Sequence, residues 1–352
     1  MGRAHIENHR LQLEDGRDIG YSIWGDPRGM PVLFGHGTPG SRRDRYYPGL
    51  DDQEWLLRRR VRFIGVDRPG YGYSDPWPEA SLLDCAGDLV RVADHFGLER
   101  FAALGTSGGG PYVLALGALE PERVRGVAVV SGVGPVDRPD ALEGMSEGNV
   151  AEFTMAMESP EELAAALGDA ARALRDDPEG AIAALLEELP EVDRRMFERP
   201  DFWAILIESL TEAVRQGATG WAYDDLRLVR PWPFRLDEIE VEVRLYHGEE
   251  DVLVPPKHAK LLAEGLRGSR LHMYPGEGHL SVGRHISEVV ETLLATQPDR
   301  RCARQQRPSE PVFTRVRGRI ILRSSGVGIL RSSHSPGPTP LSVPTHYPAP
   351  YQ

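Results

Sequence analysis

Cysteine is almost absent from this sequence, since Cys85 and Cys302 are the only two in 352 residues. Two cysteines exclude a disulfide framework and a zinc cage of cysteine ligands. A run of 18 or more apolar residues is also missing, so no spanning helix is expected. The N-terminal MGRAHIENHRLQLEDG carries charges where a signal peptide has its apolar segment. We therefore expect a cytoplasmic protein that does not interact with membranes.

Positive charge is outnumbered by negative charge over most of the chain. Residues 301–352 hold eight arginines and one glutamate, a net charge of +7, whereas the first 300 residues carry −19. Such an acidic body argues against a nucleic-acid partner. The basic end is rich in Pro, Ser and Arg and poor in apolar residues, so residues 299–352 are predicted to be a disordered tail.

Short apolar runs alternate with segments of helical spacing. Five such runs predict buried strands, at 31–34, 61–66, 101–104, 124–130 and 241–246. Between them, Ser81 and Asp84 form a capping-box start for a helix that ends at Gly97. This alternation is typical of an α/β fold with a mostly parallel central sheet flanked by helices.

One stretch interrupts that alternation. Residues 135–235 contain acidic, Ala/Leu-rich helical segments at 160–174, 180–189 and 202–214, and no clear strand. We interpret them as a helical cap over one end of the sheet. The predicted core domain then comprises residues 1–134 and 236–298.

The first of two glycine-rich turns is Gly35-His36-Gly37-Thr38-Pro39-Gly40, which fits the dinucleotide pattern G-x-G-x-x-G. In that motif a helix begins within the glycines and faces the pyrophosphate. The residues after Gly40 lack apolar helical spacing. We therefore predict that no nicotinamide, and no other cofactor, is bound.

The second turn, GTSGGG at 105–110, lacks the lysine that a phosphate-binding loop requires. It satisfies G-x-S-x-G with Gly105, Ser107 and Gly109. In such a nucleophile elbow the serine lies on a sharp strand-to-helix turn, and the glycines leave room for it. Ser107 is thus the candidate nucleophile, with a non-catalytic turn residue as the alternative.

A serine nucleophile needs a base and an acid that orients this base. After an elbow serine these follow in the order acid, then histidine. Asp251 follows the strand predicted at 241–246, and His279 follows another predicted at 271–274. Loops at the carboxyl ends of parallel strands converge. The sequence therefore predicts a triad of Ser107, Asp251 and His279.

Several residues compete for the acid and the base. The rival acids are Glu249, Glu250 and Asp137, and the rival histidines are His258, His272 and His285. His272 falls within a predicted strand and the other two histidines within predicted helices, where packed or solvated roles suit them better.

Four segments together resemble the α/β-hydrolase superfamily, in the branch with a helical cap. They are GHGTPGS (35–41), DRPGYGYSDP (67–76), GTSGGGPY (105–112) and the pair HGEEDVLVP (247–255) with GEGHLS (276–281). The resemblance implies the α/β-hydrolase fold. It also favours Asp251 over its rivals, because Asp251 occupies the family's position in HG-x-x-D.

By the same resemblance, HG-x-P-G forms an oxyanion loop, and the backbone N–H groups of Thr38 and Gly108 would bind the oxyanion. Structural roles at the site are implied for four residues, His36, Gly37, Gly105 and Gly109. Three aromatic residues, Phe202, Trp203 and Trp221, are candidates for lining an acyl pocket. The alternative for these aromatics is packing of the cap onto the body.

We expect a serine hydrolase that cleaves an ester or related acyl bond of a small molecule through an acyl-enzyme, without a metal. The serine argues against the branches with an aspartate nucleophile, and Gly108 stands where proline iminopeptidases usually carry a bulky aromatic residue. An acyltransferase or aminopeptidase on the same triad, and a non-catalytic ligand-binding relative, remain alternatives. The sequence does not predict the oligomeric state.

Overall fold

The computed structural model describes residues 2–138 and 140–295, and the backbone of two short strands closer to the C-terminus. The chain divides into two compact units, Met1–Asp299 and Arg300–Gln352. The first unit contains every candidate site residue named above.

An eight-stranded sheet forms the centre of the first unit. Its strands are β1 (Glu7–Gln12), β2 (Asp18–Gly25), β3 (Met30–Gly35), β4 (Val61–Val66), β5 (Phe101–Thr106), β6 (Val124–Val130), β7 (Val243–Gly248) and β8 (Arg270–Tyr274). Their order in the sheet is β1-β2-β4-β3-β5-β6-β7-β8. β1 pairs antiparallel with β2 and β2 with β4, whereas the remaining neighbours are parallel. The predicted mostly parallel sheet is therefore confirmed.

The helices of the described residues are, in chain order, α1 (Gln53–Arg59), α2 (Leu82–His95), α3 (Gly110–Leu119), α4 (Glu147–Glu158), α5 (Pro160–Asp176), α6 (Pro178–Leu186), α7 (Glu191–Arg194), α8 (Pro200–Ala213), α9 (Thr219–Leu228), α10 (Lys257–Gly265) and α11 (Ile286–Ala295). The predicted capping box opens α2, where the Ser81 side chain accepts from the Asp84 N–H and the Asp84 side chain from the Ser81 N–H. Among the described helices, none is long and apolar enough to cross a membrane.

Helices cover both faces of the sheet, because successive residues of a strand point to opposite faces. In β3, Leu33 belongs to the apolar cluster that includes α2, α3 and α10, whereas Val32 and Phe34 belong to the cluster with α1 and α11. All three side chains are at most 1% exposed. Full burial of a side chain of this size stabilises the folded state by about 1.5–3 kcal/mol. The two clusters hold the carboxyl ends of the parallel strands in fixed positions.

The helical insert, residues 135–235, lies between β6 and β7 in the chain and contains α4 to α9. Helix α5 buries Leu163, Leu167, Ala171 and Leu174 on one face and begins at Pro160, a residue well suited to a first helical turn. The described residues of the insert include no strand. The sequence predicts the segments that form α5, α6 and α8, but not α4, α7 or α9.

β7 begins and ends later than predicted. It runs from Val243 to Gly248 rather than from 241 to 246. His247 and Gly248 are therefore strand residues, and the loop that carries Asp251 starts at Glu249.

The second unit is described only as a two-stranded antiparallel pair, β9 (Thr314–Val316) and β10 (Arg319–Ile321). Apart from these strands, the tail predicted to be disordered lies outside the described residues, as does Cys302.

Candidate active site

The serine of the G-x-S-x-G turn lies between a strand and a helix. β5 ends at Thr106, Ser107–Gly109 forms a 3₁₀ turn, and α3 begins at Gly110. Ser107 has φ +52°, a left-handed conformation that is uncommon for residues other than glycine and costs on the order of 1–3 kcal/mol. The sharp turn leaves Ser107 half-buried, while Gly108 to Gly110 behind it are buried.

Close packing explains two glycines of this turn. A Cβ at Gly105 would lie 2.6 Å from Val113 Cγ2 and 2.7 Å from the Gly109 carbonyl oxygen. A Cβ at Gly109 would lie 2.7 Å from the Gly35 carbonyl carbon and still closer to the carbonyl oxygens of Gly35 and His36. No side chain fits at these distances, so β5, α3 and the loop after β3 can approach each other only through glycine.

The loop after β3 lies against the nucleophile turn. A Cβ at Gly108 would be 2.8 Å from Thr38 Cβ and 3.4 Å from the Thr38 backbone nitrogen. A Cβ at Gly37 would be 3.7 Å from Ser107 Cβ. Thr38 and Gly108, the two predicted oxyanion donors, are therefore neighbours beside Ser107. Their role as donors to an oxyanion stays a prediction.

Asp251 and His279 are in direct contact. The Nδ1 atom of His279 lies 2.8 Å from Asp251 Oδ2, and the two residues are only 5% and 3% exposed. Asp251 Oδ1 accepts hydrogen bonds from the backbone N–H of Leu253 (3.0 Å) and of Val254 (2.8 Å). A carboxylate held in this way keeps the imidazole proton on Nδ1 and leaves Nε2 able to accept a proton.

Asp251 and His279 shift each other's pKa so that each favours the charged form of the other. Burial alone would raise the pKa of Asp251, but the attraction of His279 and hydrogen bonds from His247 and His279 lower it overall. Burial alone would lower the pKa of His279, but the charge and hydrogen bond of Asp251 raise it overall. Asp251 is thus the charged partner, and His279 is the stronger base for its presence.

One short segment joins the serine and the histidine loops. Ser131 follows β6 and donates its Oγ to the His279 carbonyl oxygen at 3.2 Å. Val133 donates its N–H to the Ser107 carbonyl oxygen at 3.2 Å. Within the described residues, no hydrogen bond joins Ser107 Oγ to the His279 ring. Such bonds often form only when substrate is bound.

The rival acids and histidines lie elsewhere or have other partners. Glu249, Glu250 and Asp137 are exposed. His258 is buried, accepts from the Gly134 N–H at 3.1 Å and contacts the Ala141 carbonyl oxygen at 3.0 Å. Burial lowers the pKa of His258 to about 4. His272 and His285 stack on Tyr246 and Tyr274.

His36 is buried and braces the loop after β3. Its Nε2 accepts the Arg68 backbone N–H at 3.2 Å, so Nδ1 is the atom that donates to the Gly37 carbonyl oxygen at 2.8 Å. Burial and the charge of Arg68 hold the pKa of His36 well below its usual value. A neutral His36 with this tautomer fixes the backbone of Gly37, next to Thr38.

The three aromatic candidates of the insert differ in their surroundings. Phe202 is 1% exposed and packs against Tyr46 and Phe197, in an apolar cluster that also contains Leu280. Trp203 and Trp221 are half-buried, and Trp221 Nε1 donates to Glu152 Oε1 at 2.7 Å. Phe202 is therefore a packing residue adjacent to the His279 loop, and its role as pocket lining stays a prediction, like that of the two tryptophans.

A sequence profile of the alpha/beta hydrolase fold matches residues 30–285. The chain belongs to this family. Among curated proteins it is 29% identical to a non-heme chloroperoxidase of Streptomyces lividans, over 81% of this chain and 98% of that protein. It is 28% identical to a bifunctional esterase/perhydrolase of Acinetobacter calcoaceticus, with the same two coverages.

Solved structures agree on the fold of this α/β-hydrolase. A hydrolase from Pseudomonas aeruginosa has a TM-score of 0.60 at 18% identity, covering 82% of this chain and 98% of that one. An esterase from Thermogutta terrifontis has a TM-score of 0.59 at 20% identity, with the same coverage. The fold expected from the four sequence segments is confirmed, and the chain is a hydrolase of this fold.

Sequence reasoning missed two buried carboxylates of the insert that contact the site loops. Asp224 in α9 accepts from Arg68 Nε at 2.8 Å and from Thr38 Oγ1 at 2.9 Å. Asp193 in α7 accepts from the backbone N–H of His279. The insert contains many acidic residues, and their spacing does not distinguish these two from the solvated ones. Among the described residues, no group of three His, Cys, Asp or Glu side chains could hold a metal ion.

Proposed function

We propose that the protein is a serine hydrolase that cleaves an ester, or a related acyl bond, of a small molecule through an acyl-enzyme. The observation that carries the proposal is the buried contact of His279 Nδ1 with Asp251 Oδ2 at 2.8 Å. In the chain order of this family, the acid and the histidine follow the nucleophilic serine. The serine that precedes this pair here is Ser107, on the turn after β5. The named hydrolases among its relatives support the same class of reaction.

In the first step, Ser107 Oγ attacks the carbonyl carbon of the substrate while Nε2 of His279 takes the hydroxyl proton. The negative charge that develops on the carbonyl oxygen is bound by the N–H groups of Thr38 and Gly108. Asp251 stabilises the imidazolium. The intermediate collapses to an acyl-Ser107 ester as His279 returns the proton to the departing alcohol.

In the second step, His279 takes a proton from water, whose oxygen attacks the acyl carbon. The new tetrahedral intermediate releases the carboxylic acid, and His279 returns a proton to Ser107 Oγ. The net reaction is ester plus water to acid plus alcohol, and it needs neither a metal nor an organic cofactor.

Hydrogen peroxide is a second candidate acceptor for the acyl group. The two curated relatives described above are named as a chloroperoxidase and as an esterase/perhydrolase, and each is covered over 98% of its length. Attack of peroxide on acyl-Ser107 would release a peracid and free serine, with no change of oxidation state at carbon. An assay of peracid formed from an ester and peroxide tests this candidate.

Aminopeptidase activity has narrower support. A proline iminopeptidase of Neisseria gonorrhoeae is 29% identical, but over only 34% of this chain and 38% of that protein. An acyltransferase would transfer the acyl group to an added alcohol or thiol faster than to water. A non-catalytic relative would not react with a serine probe at all.

A fluorophosphonate probe tests the proposal, because it reacts covalently with an activated serine. We expect labelling of wild-type protein at Ser107 and loss of both labelling and ester hydrolysis in Ser107→Ala. Ser159→Ala is the matched control, since the Ser159 side chain makes no capping hydrogen bond in the insert. Full esterase activity in Ser107→Ala, with the fold intact by circular dichroism, contradicts the proposal.

The acyl specificity requires a separate measurement. A series of nitrophenyl esters of increasing acyl length would give kcat/KM for each chain length. The same series in Phe202→Ala and Trp221→Ala tests whether these side chains limit the length that is accepted.

A further inference from the structure

Asp193 is a buried carboxylate of the helical insert that lies against the loop carrying His279. It belongs to α7 and is 0% exposed. Asp193 Oδ2 accepts the backbone N–H of His279 at 2.8 Å, and Oδ1 accepts those of Leu280 at 3.0 Å and Ser281 at 2.8 Å. One side chain of the insert therefore binds three successive N–H groups, beginning at the predicted catalytic base.

Hydrogen bonds from these three backbone N–H groups stabilise the negative charge of Asp193. Among the described residues, no Lys, Arg or His side chain forms an ion pair with Asp193, while its neighbours Arg194 and Arg195 pair with Glu191 at the surface. A buried carboxylate is costly unless hydrogen-bond donors replace its water. Backbone N–H groups that converge on one anion do this, and such charge-assisted bonds are roughly twice as strong as neutral ones.

The loop is shaped to receive this carboxylate. A Cβ at Gly278 would lie 2.7 Å from both Cγ and Oδ1 of Asp193, and closer still to Oδ2. The three nearest atoms to that Cβ all belong to Asp193. Gly278 also donates its N–H to Ser281 Oγ at 2.7 Å. Glycine at 278 thus makes room for one specific side chain.

We propose that Asp193 is a positioning residue for His279, and that it makes the catalytic geometry depend on the docking of the helical insert. The proposal rests on the function proposed above. Three segments hold His279: the loop after β7 through Asp251, the residue after β6 through Ser131, and the insert through Asp193. If the insert moves away, the backbone N–H of His279 loses Asp193 as its acceptor. The position of the imidazole ring is then less well fixed.

The charged and titratable groups around His279 predict how its protonation would respond. Asp251 faces the ring, Asp193 faces its backbone, and His247 Nε2 lies 3.3 Å from Asp251 Oδ2. Burial lowers the pKa of His279, whereas the negative charges of Asp251 and Asp193 raise it. Tyr47 is buried near both carboxylates and stays neutral, because burial raises its pKa. Removal of the Asp193 charge should therefore lower the pKa of His279.

Asp193→Asn is the first test. An asparagine that keeps its oxygen on Leu280 and Ser281 turns its NH₂ group towards the N–H of His279, so two donors face each other. A displacement of this kind at a catalytic group costs up to about 100-fold in rate. We expect kcat/KM for a nitrophenyl ester to fall about 10- to 100-fold, and the acid limb of its pH profile to move to lower pH.

Asp201→Asn is the matched control. Asp201 also lies in the insert, is exposed and pairs with Arg199, so its replacement should leave the rate and the pH profile at wild-type values. A general loss of stability would not move the acid limb of a folded variant. A shift of this limb in Asp193→Asn, but not in Asp201→Asn, therefore indicates an effect on the base His279. Wild-type kcat/KM and an unshifted pH profile in folded Asp193→Asn overturn the proposal.

Gly278→Ala is the second test. Its wild-type arm leaves Asp193 itself unchanged, so it can be measured even if Asp193→Asn does not fold. The added methyl group meets only the Asp193 carboxylate among its three nearest atoms. We expect a loss of at least tenfold in the rate of fluorophosphonate labelling in the wild-type background. The same change should have little further effect in Asp193→Ala. Equal losses in both backgrounds, or none in the wild-type background, contradict the proposal.

Failure of this inference can be distinguished from failure of the proposed function. Wild-type protein that neither hydrolyses esters nor reacts with the probe would refute the proposed function by itself. An NMR titration of the His279 ring then still compares wild type with Asp193→Asn, because it needs no activity. An unchanged ring pKa in Asp193→Asn refutes the electrostatic part of the inference whatever the reaction is.

Discussion

Replacement of Asp251 by asparagine tests the triad most directly. Asp251 Oδ1 accepts from two backbone N–H groups, of Leu253 and Val254, and Oδ2 faces His279 Nδ1. An asparagine would keep its carbonyl oxygen on the two N–H groups and turn its NH₂ group towards His279. Nδ1 must then accept a hydrogen bond, so the ring proton moves to Nε2, which can no longer act as the base.

The size of this effect follows from the tautomer. The equivalent aspartate-to-asparagine change in a Ser-His-Asp triad lowers kcat by about 10⁴-fold, which corresponds to about 5.4 kcal/mol at 1.36 kcal/mol per tenfold. We therefore expect Asp251→Asn to lower kcat for a nitrophenyl ester by about 10⁴-fold, with a smaller effect on KM. Steady-state kinetics near neutral pH measure both parameters.

A neighbouring carboxylate supplies the control. Glu250 is exposed, so Glu250→Gln should leave kcat within about twofold of wild type, as expected for a surface change away from the site. A kcat for folded Asp251→Asn within tenfold of wild type would refute the assignment of Asp251 as the acid. A large loss in Glu250→Gln would instead point to a different acid.

Two further predictions concern pH and the contact of the insert with the loop after β3. His279 must be neutral to act as a base, and its pKa is raised above the usual 6.5. We therefore expect kcat/KM to be lost as pH falls through a value above 6.5, and a midpoint below 6.5 in a pH profile would contradict this. Asp224→Asn removes the charge that neutralises buried Arg68, so we expect a loss of about 3–5 kcal/mol in the free energy of unfolding. Chemical denaturation measures that loss, and an unchanged midpoint would refute the role assigned to this ion pair.

Local sequence predicted the six strands β3 to β8, the sharp turn at Ser107 and the candidate triad. Strand runs such as 101–104 are recognisable because a strand buried on both faces is continuously apolar. The turn at Ser107 is recognisable because only glycine permits the close approach at positions 105 and 109. Asp251 and His279 could be chosen because they follow strands whose carboxyl ends converge on one edge of the sheet.

Tertiary structure alone decided which residues of the insert reach the site. Asp193 and Asp224 are two carboxylates in a strongly acidic segment, and nothing in their sequence neighbourhood sets them apart. They are special because folding buries them against the His279 loop and against Arg68 and Thr38. Long-range contacts of this kind depend on how helices pack across the sheet. A local pattern of apolar and polar residues encodes each helix, but not the partner that a buried charge will find.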